Sequence, residues 1–166
     1  MGIRDKEIER IRLYCRGLGI RLTIKDYPWD DSAEWSNEPK HIINVNKRRN
    51  VTKTQLILTL LHEISHAIFH IHTGIEIPDA SILPEPVSKK ERKKLYEFEK
   101  DSLAYMPIIY KELSLKIPEW KVNVAKEIDA WFYEYYYLNG KYPSKKEAKA
   151  ELNAIEAKYK LTKESI

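Results

Sequence analysis

The sequence predicts a mixed α+β domain, mostly helical, with a three-stranded antiparallel sheet beside one long central helix. Three observations carry that expectation. From Thr52 to His72, apolar residues recur at spacings of three and four, the period of a helix with one buried face. Between Ile20 and Asn46, three short segments alternate apolar and polar side chains, as half-buried strands do. Beyond Ser88 the chain reads as helices punctuated by proline and glycine. With 166 residues the simplest organisation is a single domain over residues 1–166, large enough for one sizeable core.

In chain order, Asp5 to Arg16 is the first helix. Ile8, Ile11, Cys15 and Leu18 share a face, and Gly17 or Gly19 stops it. Ile20 to Lys25 is a strand, and Tyr27 to Asp31 is a turn around Pro28. Ala33 to Ser36 and His41 to Asn46 pair as a hairpin through Asn37-Glu38-Pro39-Lys40, with His41 solvated at its edge. Thr52 and Gln55 form a capping box for the long helix, and Leu56, Leu60, Ile64, Ala67 and Ile71 are its core stripe. Gly74 ends it. Ile75 to Val87, with three prolines, is irregular. Ser88 opens a charged helix interrupted by Pro107. Pro118 opens an aromatic-rich helix running to about Gly140. Ser144 and Glu147 cap a last helix, whose buried side is Ala148, Leu152, Ile155 and Tyr159.

Composition excludes several roles. No apolar run approaches the ~20 residues of a membrane span. The charged start MGIRDKEIERIR lacks the apolar centre of a signal peptide. A lone Cys15 rules out an internal disulfide and fits a reducing compartment, so a cytoplasmic location is expected. A net charge of +4 is too mild to argue for nucleic acid. The cationic run between Lys89 and Lys94 is followed at once by acidic residues and reads as a solvated helix face.

The chemistry lies in His62-Glu63-Ile64-Ser65-His66. A helical spacing of four stacks His62 and His66 on one face, where two neutral imidazoles can share one zinc ion. Glu63 comes off beside them, placed to take a proton from a metal-bound water without being a ligand. Two histidines and a glutamate are costly to bury in an apolar helix unless something binds them. This is the HExxH arrangement of zinc metallopeptidases.

The run HEISHAIFH, preceded by a helix, a strand and a hairpin ending IINVNKRRN, resembles the ImmA/IrrE family of zinc metallopeptidases. The family's pattern of His-Glu-x-x-His with a further histidine four residues on is matched by His62, Glu63, His66 and His70. The resemblance covers roughly residues 1–75, leaving 76–166 as a variable helical part expected to carry a third ligand. It implies a small zincin-like fold in which the hairpin's edge strand offers its backbone to a peptide. It also implies a protein substrate, such as a helix-turn-helix repressor. His70 lies about 12 Å along the helix from His62 and about 6 Å from His66, which favours a structural role over ligation.

A catalytic zinc site needs a third protein ligand, and two carboxylates compete for it. Glu97, with Asp101 four residues on, keeps the spacing that the resemblance implies. Leu95, Phe98, Ser102, Tyr105 and Met106 cluster on one side of its helix, however, leaving Glu97 among Lys93, Lys94 and Lys100. Glu127 borders an apolar face of Val124, Ile128, Trp131, Tyr135 and Leu138, where an inward carboxylate would lie, and is favoured on that ground. The function expected is a zinc-dependent endopeptidase with His62, His66 and Glu127 (or Glu97) on the metal and Glu63 as base. A tyrosine or histidine steadies the oxyanion, and eleven tyrosines leave its identity open. The alternative is a metal-stabilised binding module that engages a repressor without cutting it.

Overall fold

The computed structural model describes residues 5–37, 40–78 and 86–164, with side chains described as far as residue 161. The order of elements is α1 (Lys6–Gly17), β1 (Arg21–Lys25), β2 (Ala33–Ser36), β3 (Ile42–Asn46), a 3-10 turn (Lys47–Arg49), α2 (Lys53–Thr73), α3 (Lys89–Leu103), α4 (Met106–Glu112), α5 (Glu119–Asn139) and α6 (Lys145–Glu164). Glu38 and Pro39 of the hairpin turn, and residues 79–85 of the expected irregular stretch, lie outside the described residues.

The three strands form one sheet in the order β1-β3-β2. β2 and β3 pair antiparallel, Ala33 opposite Val45 and Trp35 opposite Ile43, as the hairpin reading expects. β1 runs parallel to β3, Arg21 opposite Ile42 and Lys25 opposite Asn46, so the sheet is mixed and not antiparallel throughout. The reason is the route of the chain. After Lys25 it crosses the end of β3 and starts β2 on the far side, so β2 runs antiparallel to β3 while β1 stays parallel to it. Asn46, fully buried, pins that crossing: its side-chain amide donates to Trp29 O at 2.8 Å and Asp31 O at 3.2 Å, and its Oδ1 accepts from Tyr27 N at 3.1 Å. Alternation of side chains reports strands but not their direction.

α2 is the spine. Thr52 Oγ1 accepts from Gln55 N at 3.1 Å, and Gly74 closes the helix with φ 71°, a left-handed turn that glycine adopts without strain. Leu56, Leu60, Ile64 and Ala67 are fully buried against Ile11 and Cys15 of α1, Ile43 and Val45 of β3, and Met106 and Ile109 of α4. Ile71, expected in the same stripe, is 42% exposed, because the helix there has run past the core. Burial pushes the Cys15 thiol up to about 12, so it stays an inert core residue.

Pro107 falls in the first turn of α4, where its missing N–H costs nothing, so it starts a helix after α3 has ended. The last helix forms both halves of its capping box: Ser144 Oγ accepts from Glu147 N at 3.1 Å, and Glu147 Oε1 accepts from Ser144 N at 3.3 Å. α5 is packed on two sides, by α3 and α4 and by α6. Arg92, in the cationic run of α3, is held by Val87 O and Tyr137 O, while Lys93 and Lys94 pair with Glu97 and Glu91. That run is a largely self-neutralised face.

Candidate metal centre

α2 brings His62 and His66 together as its period requires, with ring centroids 4.7 Å apart. The carboxylate that meets them is Glu99 of α3. Its Oε2 lies 2.7 Å from His66 Nε2 and 3.6 Å from His62 Nε2, and the residue is only 2% exposed. Among the described residues, His62, His66 and Glu99 offer ligand atoms that all lie within 4.8 Å of one another.

Neither expected carboxylate is there. Glu127 faces α6, where it accepts from Tyr159 Oη at 2.9 Å and from Lys158 Nζ at 3.3 Å. Of the stripe it borders, Leu138 is 56% exposed, while Val122, Ala125, Asp129, Tyr133 and Tyr136 turn inward. Glu97 is exposed beside Lys93, as its lysine neighbours indicate. Glu99 was legible by a different route. It stands four residues after Leu95 and three before Ser102, on the stripe of α3 already assigned to the core.

Asp129, two residues after Glu127 and therefore on the opposite side of α5, was also not foreseen. His62 Nδ1 donates to Asp129 Oδ2 at 2.8 Å, which turns Nε2 toward Glu99. Glu63 lies on the same side of α2, its Oε2 3.6 Å from His66 Nδ1, with its side chain 13% exposed. His70 is spent elsewhere: its Nδ1 donates to Ile75 O at 3.1 Å, and Asn37 Nδ2 donates to its Nε2 at 3.3 Å. His41 is half-buried, not solvated. It accepts from Trp35 Nε1 at 3.2 Å, and its ring meets that of His70 edge-on at 5.2 Å.

The electrostatics are those of charges gathered out of water. Burial pushes the Glu99 carboxyl up, but the two imidazoles outweigh it and hold the group at about 2. Burial pulls His66 down, and the Glu99 carboxylate with Glu63 overrides it, raising the imidazole to about 9. His62 is likewise depressed by burial and raised well above its ordinary value by Asp129 and Glu99.

The donor set fits zinc. Two imidazole nitrogens and one carboxylate oxygen are a catalytic zinc set, leaving a fourth position for water. Ligand atoms in such a tetrahedron stand about 3.3 Å apart at ordinary bond lengths, and the two nitrogen–oxygen separations at Glu99, 2.7 and 3.6 Å, bracket that value. Asp129 on the far nitrogen of His62 is the outer support that ligating histidines usually have.

Two cavities open on this centre. The larger, about 610 Å³, lies between the first half of α2, the start of β2 and α5. The smaller, about 230 Å³, lies beside Trp35, His66 and Glu99. Ala33, His62, Glu63 and Tyr133 border both, so the HExxH residues stand where the two meet. No protein-family model, curated protein or solved structure matches the chain.

Proposed function

We propose that the chain is a zinc-dependent endopeptidase built as a small zincin-like domain. One observation carries the reading: Glu99 Oε2 at 2.7 and 3.6 Å from the Nε2 atoms of His66 and His62, with Glu63 alongside and outside that trio. His62, His66 and Glu99 would hold the metal, which supplies a polarised carbonyl and a water whose pKa falls toward about 7. Glu63 would accept the proton of the attacking water and return it to the leaving amine. Asp129 fixes the His62 ring so that Nε2 faces inward.

Among the tyrosines, Tyr133 is the one that suits the oxyanion. It borders both cavities, and burial together with the nearby Glu99 carboxylate raises its phenol well above the ordinary value, so it remains a donor at neutral pH. The peptide lies along β2, whose edge away from β3 has no partner strand among the described residues. A protein such as a repressor is the substrate in this reading, and a cytoplasmic location goes with it. No helix among the described residues is long and apolar enough to cross a membrane.

The test is Glu63→Gln. Because Glu63 serves the water and not the ion, the variant should bind zinc as the parent does while losing peptide hydrolysis by at least about a hundredfold. Hydrolysis that survives the change removes Glu63 from the chemistry, and a zinc-loaded parent that hydrolyses no peptide sinks the enzyme reading. A biological effect that survives it, with hydrolysis lost, would instead make the chain a metal-stabilised binding module.

A further inference from the structure

We infer that a third cavity docks a basic stretch of the protein substrate upstream of the cut, with Glu76 and Asp101 as its anchors. This rests on the peptidase reading above and adds to it the chemistry of the partner that is recognised.

The cavity, about 410 Å³, lies between the end of α2, the segment that follows Gly74 and one flank of α3. Such a volume is within the range of preformed ligand sites. Its apolar side is Phe69 and Phe98, both almost fully buried, with Ile75, Ile77 and Pro78. Ile77 also borders the smaller of the two cavities at the metal centre, so the two spaces adjoin. Direction follows from β2. A peptide adding to its open edge pairs best antiparallel, the stronger ladder and the one β2 already makes with β3. Its chain then runs from the Trp35 end toward the Ser32 end. Trp35 lines the smaller cavity and Ser32 the larger, so the residues before the cut lie on the smaller cavity's side. The third cavity extends that side.

Charge decides the occupant. Four carboxylates and one ammonium group line the space. Lys94 is taken by Glu91 at 3.1 Å, and Glu97 is taken by Lys93 at 3.8 Å. Glu76 and Asp101 are exposed and make no ion pair or hydrogen bond among the described residues. An acidic segment would meet these two carboxylates unopposed, and a purely apolar one would leave them to water. The chain as a whole carries a net charge of +4, so it offers a basic segment no general attraction, only this local one. Arginine suits both parts of the cavity. Its aliphatic stem lies along Ile75, Ile77 and Pro78, while its guanidinium donates to the free carboxylates. Lysine brings the same charge without the planar fork.

The experiment is digestion of a randomised peptide library by the zinc-loaded full chain, with both products of each cut sequenced. Arg and Lys should be enriched about tenfold over Asp and Glu upstream of the cut, as two exposed charge contacts of a few-fold each allow. Glu76→Gln combined with Asp101→Asn should flatten that preference while zinc binding stays as in the parent, because neither carboxylate belongs to the metal trio. Added salt should flatten it too. A flat upstream profile in the parent, or a basic preference that survives the double substitution, would overturn the inference and leave the peptidase reading intact. A second arm titrates zinc-loaded Glu63→Gln with two capped peptides, one rich in arginine upstream and one with glutamine in its place. The arginine peptide should bind about tenfold more tightly, and the double substitution on that background should remove the difference. If the library is not hydrolysed, the peptidase reading falls and this arm alone decides. A difference that the double substitution removes keeps the basic docking site; equal binding, or a difference that persists, removes it. Spermidine that binds while the two peptides are not distinguished would make the cavity a site for small cations and overturn the inference.

Discussion

The Asp129 carboxylate accepts a 2.8 Å hydrogen bond from Nδ1 of His62, reaching it from a helix that begins more than fifty residues later in the chain. A carboxylate can only accept, so this bond keeps the proton on Nδ1 and leaves Nε2 as a lone-pair donor facing Glu99 whenever the ring is neutral. A residue on α5 thereby sets the tautomer of a candidate ligand on α2.

Removing that support should loosen the metal without removing a ligand. Asp129→Ala is expected to weaken zinc binding by about 10–100-fold, the usual cost of losing an outer partner. Asp129→Asn should cost less, because its amide oxygen still accepts from Nδ1. Chelator competition on the two variants measures both effects. Equal affinity in Asp129→Ala and the parent would mean that the His62 ring is held by packing alone.

Glu99 and the two carboxylates that the sequence put forward, Glu97 and Glu127, separate cleanly. Glu99→Ala removes a ligand atom and should abolish tight zinc binding, as should His62→Ala and His66→Ala. Glu97→Ala and Glu127→Ala should leave the affinity within about twofold, since one is exposed beside Lys93 and the other is engaged by Tyr159 and Lys158. Zinc content after dialysis reads all five. A zinc-free Glu127→Ala protein would return the third ligand to α5.

How much of this was open to a reader of the chain depends on which residue is asked about. His62, Glu63 and His66 are set by one helix and its period, so their geometry follows from five consecutive positions of sequence. Leu56, Leu60 and Ile64 follow from the same period, and so do the hairpin strands from theirs. The third carboxylate needed knowledge of which face of α5 turns inward. Aromatic residues lie on both sides of α5, because α6 covers one side and the core the other, and Glu127 stands on the side that meets Tyr159 and Lys158 of α6. On α3 the inward stripe was readable, and Glu97 was correctly placed off it. Glu99 was passed over because the motif spacing drew attention to a residue two positions earlier. Strand direction in the sheet was illegible for another reason: it is fixed by the crossing that Asn46 pins, a contact across seventeen residues to Trp29.

Without metal, the centre should titrate in a defined sense. The folded His66 imidazole is raised from 6.5 to about 9, so its contribution to stability is fully present below pH 6.5 and is lost as the pH rises toward about 9. Glu99 is the other side of the same contact. Its carboxyl is lowered from 4.5 to about 2, so its contribution is present above pH 4.5 and is lost as the pH falls toward about 2. Between those limits the metal-free protein should be at its most resistant to urea, and its unfolding midpoint should fall steadily from pH 6.5 to 9. Zinc reverses the slope, because it needs the imidazoles unprotonated and binds more tightly as protons leave. The midpoint of the zinc-loaded protein should therefore hold or rise over the same interval. Glu99→Gln serves as the control: with no carboxylate to retain the proton on His66, the alkaline decline of the metal-free protein should flatten. A decline of undiminished size in that variant would assign the titration to other groups and remove the ion pair from the account of the metal-free state.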